Sequence, residues 1–187
     1  MGTSSTLFET ATPRSKALAD ALLILGASVF IALCAQIAVR VPFSPVPITG
    51  QTLGVLAVGG LLGSRRGTLS VLAYLAEGIA GFPVFAGGGS GPIWLLGPTG
   101  GYLLGFVAAA WVVGWLCERL WDHSFAGTLV IMLAGSATIY LFGLLWLARF
   151  VGADRALALG LIPFVPAEVI KITLAVMGMS LRSTLRR

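Results

Sequence analysis

Apolar residues run along this chain in long blocks, separated by short polar or glycine- and proline-rich stretches. The blocks cover about 17–39, 52–63, 67–81, 101–121, 126–149 and 162–181. At roughly 20 apolar residues per bilayer crossing, that pattern predicts six transmembrane helices in a single membrane domain, 1–187. The second and third blocks are short and are punctuated by Gly59, Gly60, Gly63 and the turn sequence Gly63-Ser64-Arg65-Arg66-Gly67. They read as tilted or partly broken helices whose backbone groups must be satisfied by protein neighbours. The polar stretch 1–16 precedes the first block, which is longer than the roughly 7–15 residues of a signal-peptide core and therefore reads as a retained span.

Composition agrees with the pattern. Hydrophobic residues make up 57% of the chain and charged residues only 10%, far below the quarter or so typical of soluble domains. The mean hydropathy is +0.97. An all-α integral membrane protein is expected, with the lipid bilayer as its solvent and no room for a separate soluble domain. The net charge of +5 would suggest nucleic acid in a soluble protein. Here the arginines stand at the ends of the blocks, where they orient the chain and imply no nucleic-acid partner.

The orientation follows from that distribution. With the N-terminus inside, Arg14, Lys16, Arg65, Arg66, Arg119, Arg182, Arg186 and Arg187 fall on the inner side and Arg40, Arg149 and Arg155 on the outer. Both termini, 1–16 and 182–187, are expected in the cytoplasm, and the chain is expected in the cell inner membrane as a multi-pass protein. The unusual sequence then collects on the outer face. The connection 40–51 carries Pro42, Pro45 and Pro47, which hold the backbone extended, and the connection 82–100 is glycine-rich, aromatic and uncharged. A loop so apolar is expected to lie over or into the helix bundle. The third outer connection, 151–161, is plainer.

Against this background Glu168 and Lys171 stand out, because they interrupt the last apolar block. A charge near the centre of a membrane helix costs roughly 2.5–3.5 kcal/mol on insertion scales, so such residues are read by default as functional. Pro166 suits the first turn of the helix, which puts Glu168 in that turn and Lys171 one turn deeper. Their i, i+3 spacing places them on one face beneath the two unusual loops. A structural ion pair is the competing reading, but desolvating two charges often offsets their attraction. Glu77 is a third acidic group at depth, with two readings: a wall of the same cavity, or a side chain reaching the outer interface. Tyr74, one turn earlier, offers a ring and a hydroxyl to a ligand.

Four strings carry a resemblance: VPFSPVPITGQT at 41–52, GFPVFAGGG at 81–89, LGPTGGY at 96–102 and PAEVIK at 166–171. Together and in this order they closely resemble the BioY family, the biotin-specific S components (substrate-binding subunits) of energy-coupling factor transporters. The resemblance covers about residues 20–180. It implies a six-helix S-component fold that captures biotin from outside, a transmembrane coupling protein as partner, and ATPase subunits that drive uptake. The substrate-binding residues it implies are Lys171 and Glu168, followed by Gly87, Gly88, Thr99 and Tyr102 on the matched loops, with Thr49 and Gln51 behind them. Where this chain has Glu168 the family usually has aspartate, one methylene shorter. The bottom-up chemistry fits such a ligand. Lys171 can pair with a carboxylate or donate to a ureido oxygen, and Glu168 can accept from a ureido N–H.

Other functions are disfavoured by what the sequence lacks. The nucleotide-binding pattern GxxxxGK[ST] is absent, and the two lysines are Lys16 and Lys171. Nothing calls for a cofactor or a metal, and no enzyme is expected, since the sole histidine, His123, sits in a loop across the membrane from Glu168. Cys34 and Cys117 lie in different apolar blocks and read as packing residues. A self-sufficient secondary carrier would often show inverted repeats, which are not evident. The closest alternative is an S component for another vitamin. Small residues in the first block, Ser28 with Ala32 and Cys34 with Ala38, offer either a partner-docking face or internal packing.

Overall fold

A computed structural model describes residues 13–120 and 124–184. It is helical nearly throughout: α1 Pro13–Gln36, α2 Gln51–Ile79, α3 Ile93–Leu96, α4 Gly100–Leu120, α5 Phe125–Val151, α6 Ala153–Gly160 and α7 Val165–Thr184. Two short strands, β1 Ala38–Val39 and β2 Ile48–Thr49, pair antiparallel with Ala38 opposite Thr49. Among the described residues, four stretches are long and apolar enough to cross a bilayer: Lys16–Gln36, Gly100–Leu120, Phe125–Val151 and Ala153–Met177.

The segment α2 is two helices. Gly63 takes φ 81° and ψ 177°, a backbone state that is strained for side-chain-bearing residues. The chain reverses there, so the two arms run back along each other. Straight, α2 would separate Gln51 from Tyr74 by roughly 35 Å, yet Gln51 Nε2 hydrogen-bonds the Tyr74 hydroxyl. Near the reversal the arms touch backbone to backbone, and a Cβ on Gly67 would stand 2.9 Å from Gly59 Cα. Gly59 meets Ala110 in the same way, and Gly114 meets Gly63 and Ser64. This is close small-residue packing, the route by which membrane helices gain dispersion contact when burial from water offers none. Glu118 closes the turn: its Oε1 accepts from Ser64 N at 2.7 Å and its carboxylate from Ser64 Oγ at 2.9 Å.

The remaining helices pack around this hairpin. Ala109, Ala110 and Val113 of α4 and Met132, Ile139 and Leu147 of α5 are fully or nearly fully buried. Helix α7 turns Glu168, Lys171, Ile172, Ala175 and Val176 inward, the i, i+3, i+4, i+7, i+8 stripe of a helix with one protein-facing side. Helix α1 leaves Leu18, Leu22, Leu25, Val29 and Leu33 exposed, apolar surface suited to lipid.

Several expectations are corrected. The first helix ends at Gln36 rather than 39, because the chain then enters the β1–β2 ladder, where Gly50 N donates to Ile37 O at 2.9 Å. The expected turn 63–67 is a reversal at Gly63 alone, and residues 64–67 are already helical. The connection 151–161 contains α6, begun after Gly152 at φ 88°. Of the two readings of Ser28 and Ala32, the structure favours internal packing over a docking face. Ser28 is fully buried against α2, its Oγ 2.8 Å from Glu77 Oε1, and Ala32 packs on the core. Cys34 likewise packs against Gly50 and Gly54. The expectations for 1–12, His123, Arg186 and Arg187, and for the side chains of Arg14 and Arg182, lie outside the described residues.

Candidate functional site

The Glu168–Lys171 pair is the polar centre of the bundle. Lys171 Nζ stands 2.7 Å from Glu168 Oε2, and the two residues are 8% and 6% exposed. The ammonium also donates to Thr52 Oγ1 at 2.6 Å and to Thr49 O at 3.2 Å. Its three N–H groups therefore have three protein acceptors. The carboxylate is equally engaged. Ser136 Oγ donates to Oε1 at 2.8 Å, while Tyr140 Oη and Thr52 Oγ1 each donate to Oε2 at 3.2 Å. With every donor matched, the pair meets the condition under which buried charges are tolerated.

The loops bring Thr49 and Gln51 to this centre. The backbone of 40–47 is not extended as its prolines led one to expect, because it turns at 42–43 with Ser44 N donating to Val41 O at 3.3 Å. Ser44 fastens it by donating to Leu159 O at 2.7 Å and accepting from Val46 N at 3.2 Å. The β1–β2 pairing then sets Thr49, whose Oγ1 donates to Gln51 Oε1 at 2.9 Å. With Nε2 on Tyr74 and Oε1 on Thr49, the Gln51 amide is held in one orientation.

A narrow cavity opens beside these groups. Its polar end is Thr49, Gln51, Thr52 and Lys171, and its apolar and aromatic walls include Phe85, Trp94, Phe106, Tyr140 and Phe164. Such a balance, mostly apolar with few convergent polar groups, is that of a small-molecule site. The glycine-rich loop supplies Phe85, Ala86, Trp94 and Thr99. It is stitched to its surroundings by Gly91 N to Gly78 O at 2.7 Å, Thr99 Oγ1 to Trp94 O at 3.0 Å and Trp146 Nε1 to Gly97 O at 3.0 Å. Phe85 stands edge-on to Tyr74 at 5.6 Å between ring centroids, and Tyr102 stacks on Phe164 at 6.4 Å.

Of the residues singled out from sequence, Lys171, Thr99, Tyr102, Thr49 and Gln51 line the cavity. Glu168 stands behind Lys171, off the lining, and holds it. Tyr74 is fully buried one layer back and holds Gln51. Gly87 and Gly88 shape the loop at φ 62° and 81° without reaching the cavity wall. Glu77 is away from the cavity, bonded to Ser28 between α1 and α2. Sequence reasoning missed Phe85, Trp94, Phe106, Tyr140 and Phe164 in the wall, and Ser136 and Thr52 as partners of the pair. Of these, Thr52, Phe85 and Trp94 lie in or directly beside the unusual loops, which was a usable signal.

A second space lies outward of the first. It is lined by Arg40, Val41, Ser44, Pro45, Pro47, Ile93, Trp94, Gly97, Pro98 and Thr99, of which Pro47, Trp94 and Thr99 also line the inner cavity.

Comparison with known proteins agrees with this architecture. The model of the BioY family matches residues 6–187. A protein of Rhizobium etli named biotin transporter BioY is 38% identical over 162 residues, which are 82% of this chain and 87% of that protein. One of the same name from Thermotoga maritima is 40% identical over 154 residues, 81% of this chain and 90% of the relative. A crystal structure described as the S-component for biotin from an ECF-type ABC transporter superposes with a TM-score of 0.83 at 30% identity, covering 92% of this chain and 95% of that one.

Proposed function

The chain belongs to the BioY family, and from that membership and its cavity we propose that it is the membrane-embedded biotin-binding S component of an energy-coupling factor transporter. The observation that carries the reading is the buried Lys171, neutralised by Glu168 yet presented at the wall of a mostly aromatic cavity. Biotin has an apolar fused bicycle, a neutral ureido group and a charged tail. The aromatic walls suit the bicycle. The polar end offers N–H groups from Lys171 to the ureido oxygen, and oxygens of Thr49, Thr52 and Gln51 to its N–H groups. A charge argument favours the ureido group over the carboxylate at this end: Lys171 already has a carboxylate partner, and adding a second would leave a net negative charge buried.

In this role Lys171 touches the ligand, and Glu168 positions Lys171. The loops 40–50 and 82–100 face the outside of the inner membrane, and biotin enters between them. Six crossings follow if the two arms of α2 count separately, which brings both termini to the cytoplasm. No nucleotide-binding motif is present, so uptake draws on ATPase subunits through a coupling protein.

Purified protein is expected to bind radiolabelled biotin at one ligand per chain, and the double change Lys171→Met with Glu168→Gln, which leaves no unpaired buried charge, to lose that binding while remaining folded. Saturable binding of a different vitamin with none of biotin overturns the assignment. Reconstitution in vesicles with and without coupling subunits separates a capture subunit from a self-sufficient carrier.

A further inference from the structure

We propose that Arg40 is the partner of the ligand's carboxylate, in an outer vestibule continuous with the inner cavity. This rests on the biotin reading above and extends it to the anionic end of the molecule. The two spaces share Pro47, Trp94 and Thr99, so a ligand whose head reaches Lys171 has its tail directed past these residues. Among the described residues, Arg40 is the one charged side chain lining the vestibule.

Among the described residues, Arg40 differs from the other cations at this end of the bundle in having neither an acidic nor an aromatic partner. Lys171 is neutralised by Glu168 at 2.7 Å. Arg149 lies over the Trp146 ring at 4.9 Å, and Arg155 stands 4.0 Å from Asp154. Among the described residues no ion pair, hydrogen bond or ring contact engages the Arg40 guanidinium. An arginine on this side also runs against the bias that places basic residues on the cytoplasmic face.

The position of Arg40 is fixed from within the site. It directly follows β1, whose Ala38 pairs with Thr49, and Thr49 O is an acceptor of Lys171. The same two-stranded ladder therefore sets the inner polar end and the base of Arg40. A flexible carboxylate tail suits an exposed guanidinium, which offers paired N–H donors without the desolvation cost of a buried charge.

The test measures binding of biotin and of biotin methyl ester, which lacks the negative charge, to the wild type, Arg40→Gln and Arg40→Lys. Arg40→Gln is expected to weaken biotin by about two- to fivefold, within the range for a solvent-exposed charge pair, and to leave the ester unchanged. Arg40→Lys should recover most of the loss, and raised salt should narrow the gap between the two ligands in the wild type only. Equal affinity of wild type and Arg40→Gln for biotin overturns the proposal and leaves Arg40 a lipid-headgroup anchor. So does an equal loss for biotin and ester. If the wild type binds neither compound, the biotin reading itself fails, and this inference with it.

Discussion

Tyr74 and Gln51 sit on opposite arms of the α2 hairpin, and the phenol oxygen of the first accepts a hydrogen bond from the amide of the second. A residue that never reaches the cavity thus aims one that lines it. The reversal at Gly63 makes this possible, since it folds the second arm back beneath the first.

Replacing Tyr74 by phenylalanine removes that anchor and keeps the ring against Phe85. The Gln51 amide is then held only by Thr49, so biotin binding should weaken by about three- to tenfold, the worth of one hydrogen bond. Equilibrium binding together with thermal unfolding checks this, because a loss of binding that merely tracks unfolding would point to structural damage.

The Glu168–Lys171 pair should behave as a unit. Glu168→Ala leaves Lys171 buried without a counter-charge, at a cost of about 3–5 kcal/mol, and should sharply lower thermal stability in detergent. The double change Glu168→Gln with Lys171→Met should recover much of that stability and still fail to bind biotin. A Glu168→Asp variant is expected to keep binding, as the shorter carboxylate retains Lys171 one helical turn away.

Gly63→Ala should destabilise the protein by about 1–3 kcal/mol, because the site needs φ 81° and the new Cβ would press on Glu118 Oε1. Unfolding of the variant in detergent, compared with Gly81→Ala, separates the two causes. Gly81 is also at positive φ, 103°, but has nothing within 4 Å of its Cβ.

Gly78→Ala acts at a distance from the ligand. Its Cβ would collide with the Phe85 ring, which lines the cavity, so the ring must shift. Weaker biotin binding is expected with little change in the circular dichroism of the helices. Unchanged affinity would show that Phe85 is a dispensable part of the wall.

Parts of this arrangement were legible in the sequence because they were costly. Glu168 and Lys171 announced themselves as charges in an apolar block, and the proline- and glycine-rich loops as backbone that needed a special reason. Ser136 did not, since a serine in a membrane helix can satisfy its hydroxyl on its own backbone and leaves no trace of a tertiary role. Tyr140, Phe106 and Phe164 were equally silent. In a chain that is apolar on every face, periodicity does not distinguish an aromatic turned to a cavity from one turned to lipid. The same blindness left Ser28 undecided between a partner and internal packing, although it faces Glu77. Helix α6 was hidden in a short connection where a turn of either kind fits. The hairpin was half visible: glycines marked the break, but it takes the packing of Gly59 against Gly67 and the Gln51–Tyr74 hydrogen bond to show that the chain doubles back.

The partners of Lys171 have a consequence for turnover. Glu168, Thr52 and Thr49 supply an acceptor for each of its N–H groups, so the protein alone provides a complete resting set for its own buried charge. A ligand gains its place by exchange, taking over a hydrogen bond that already exists, and on departure hands it back. Unloading therefore strands no unpaired ion in the bilayer.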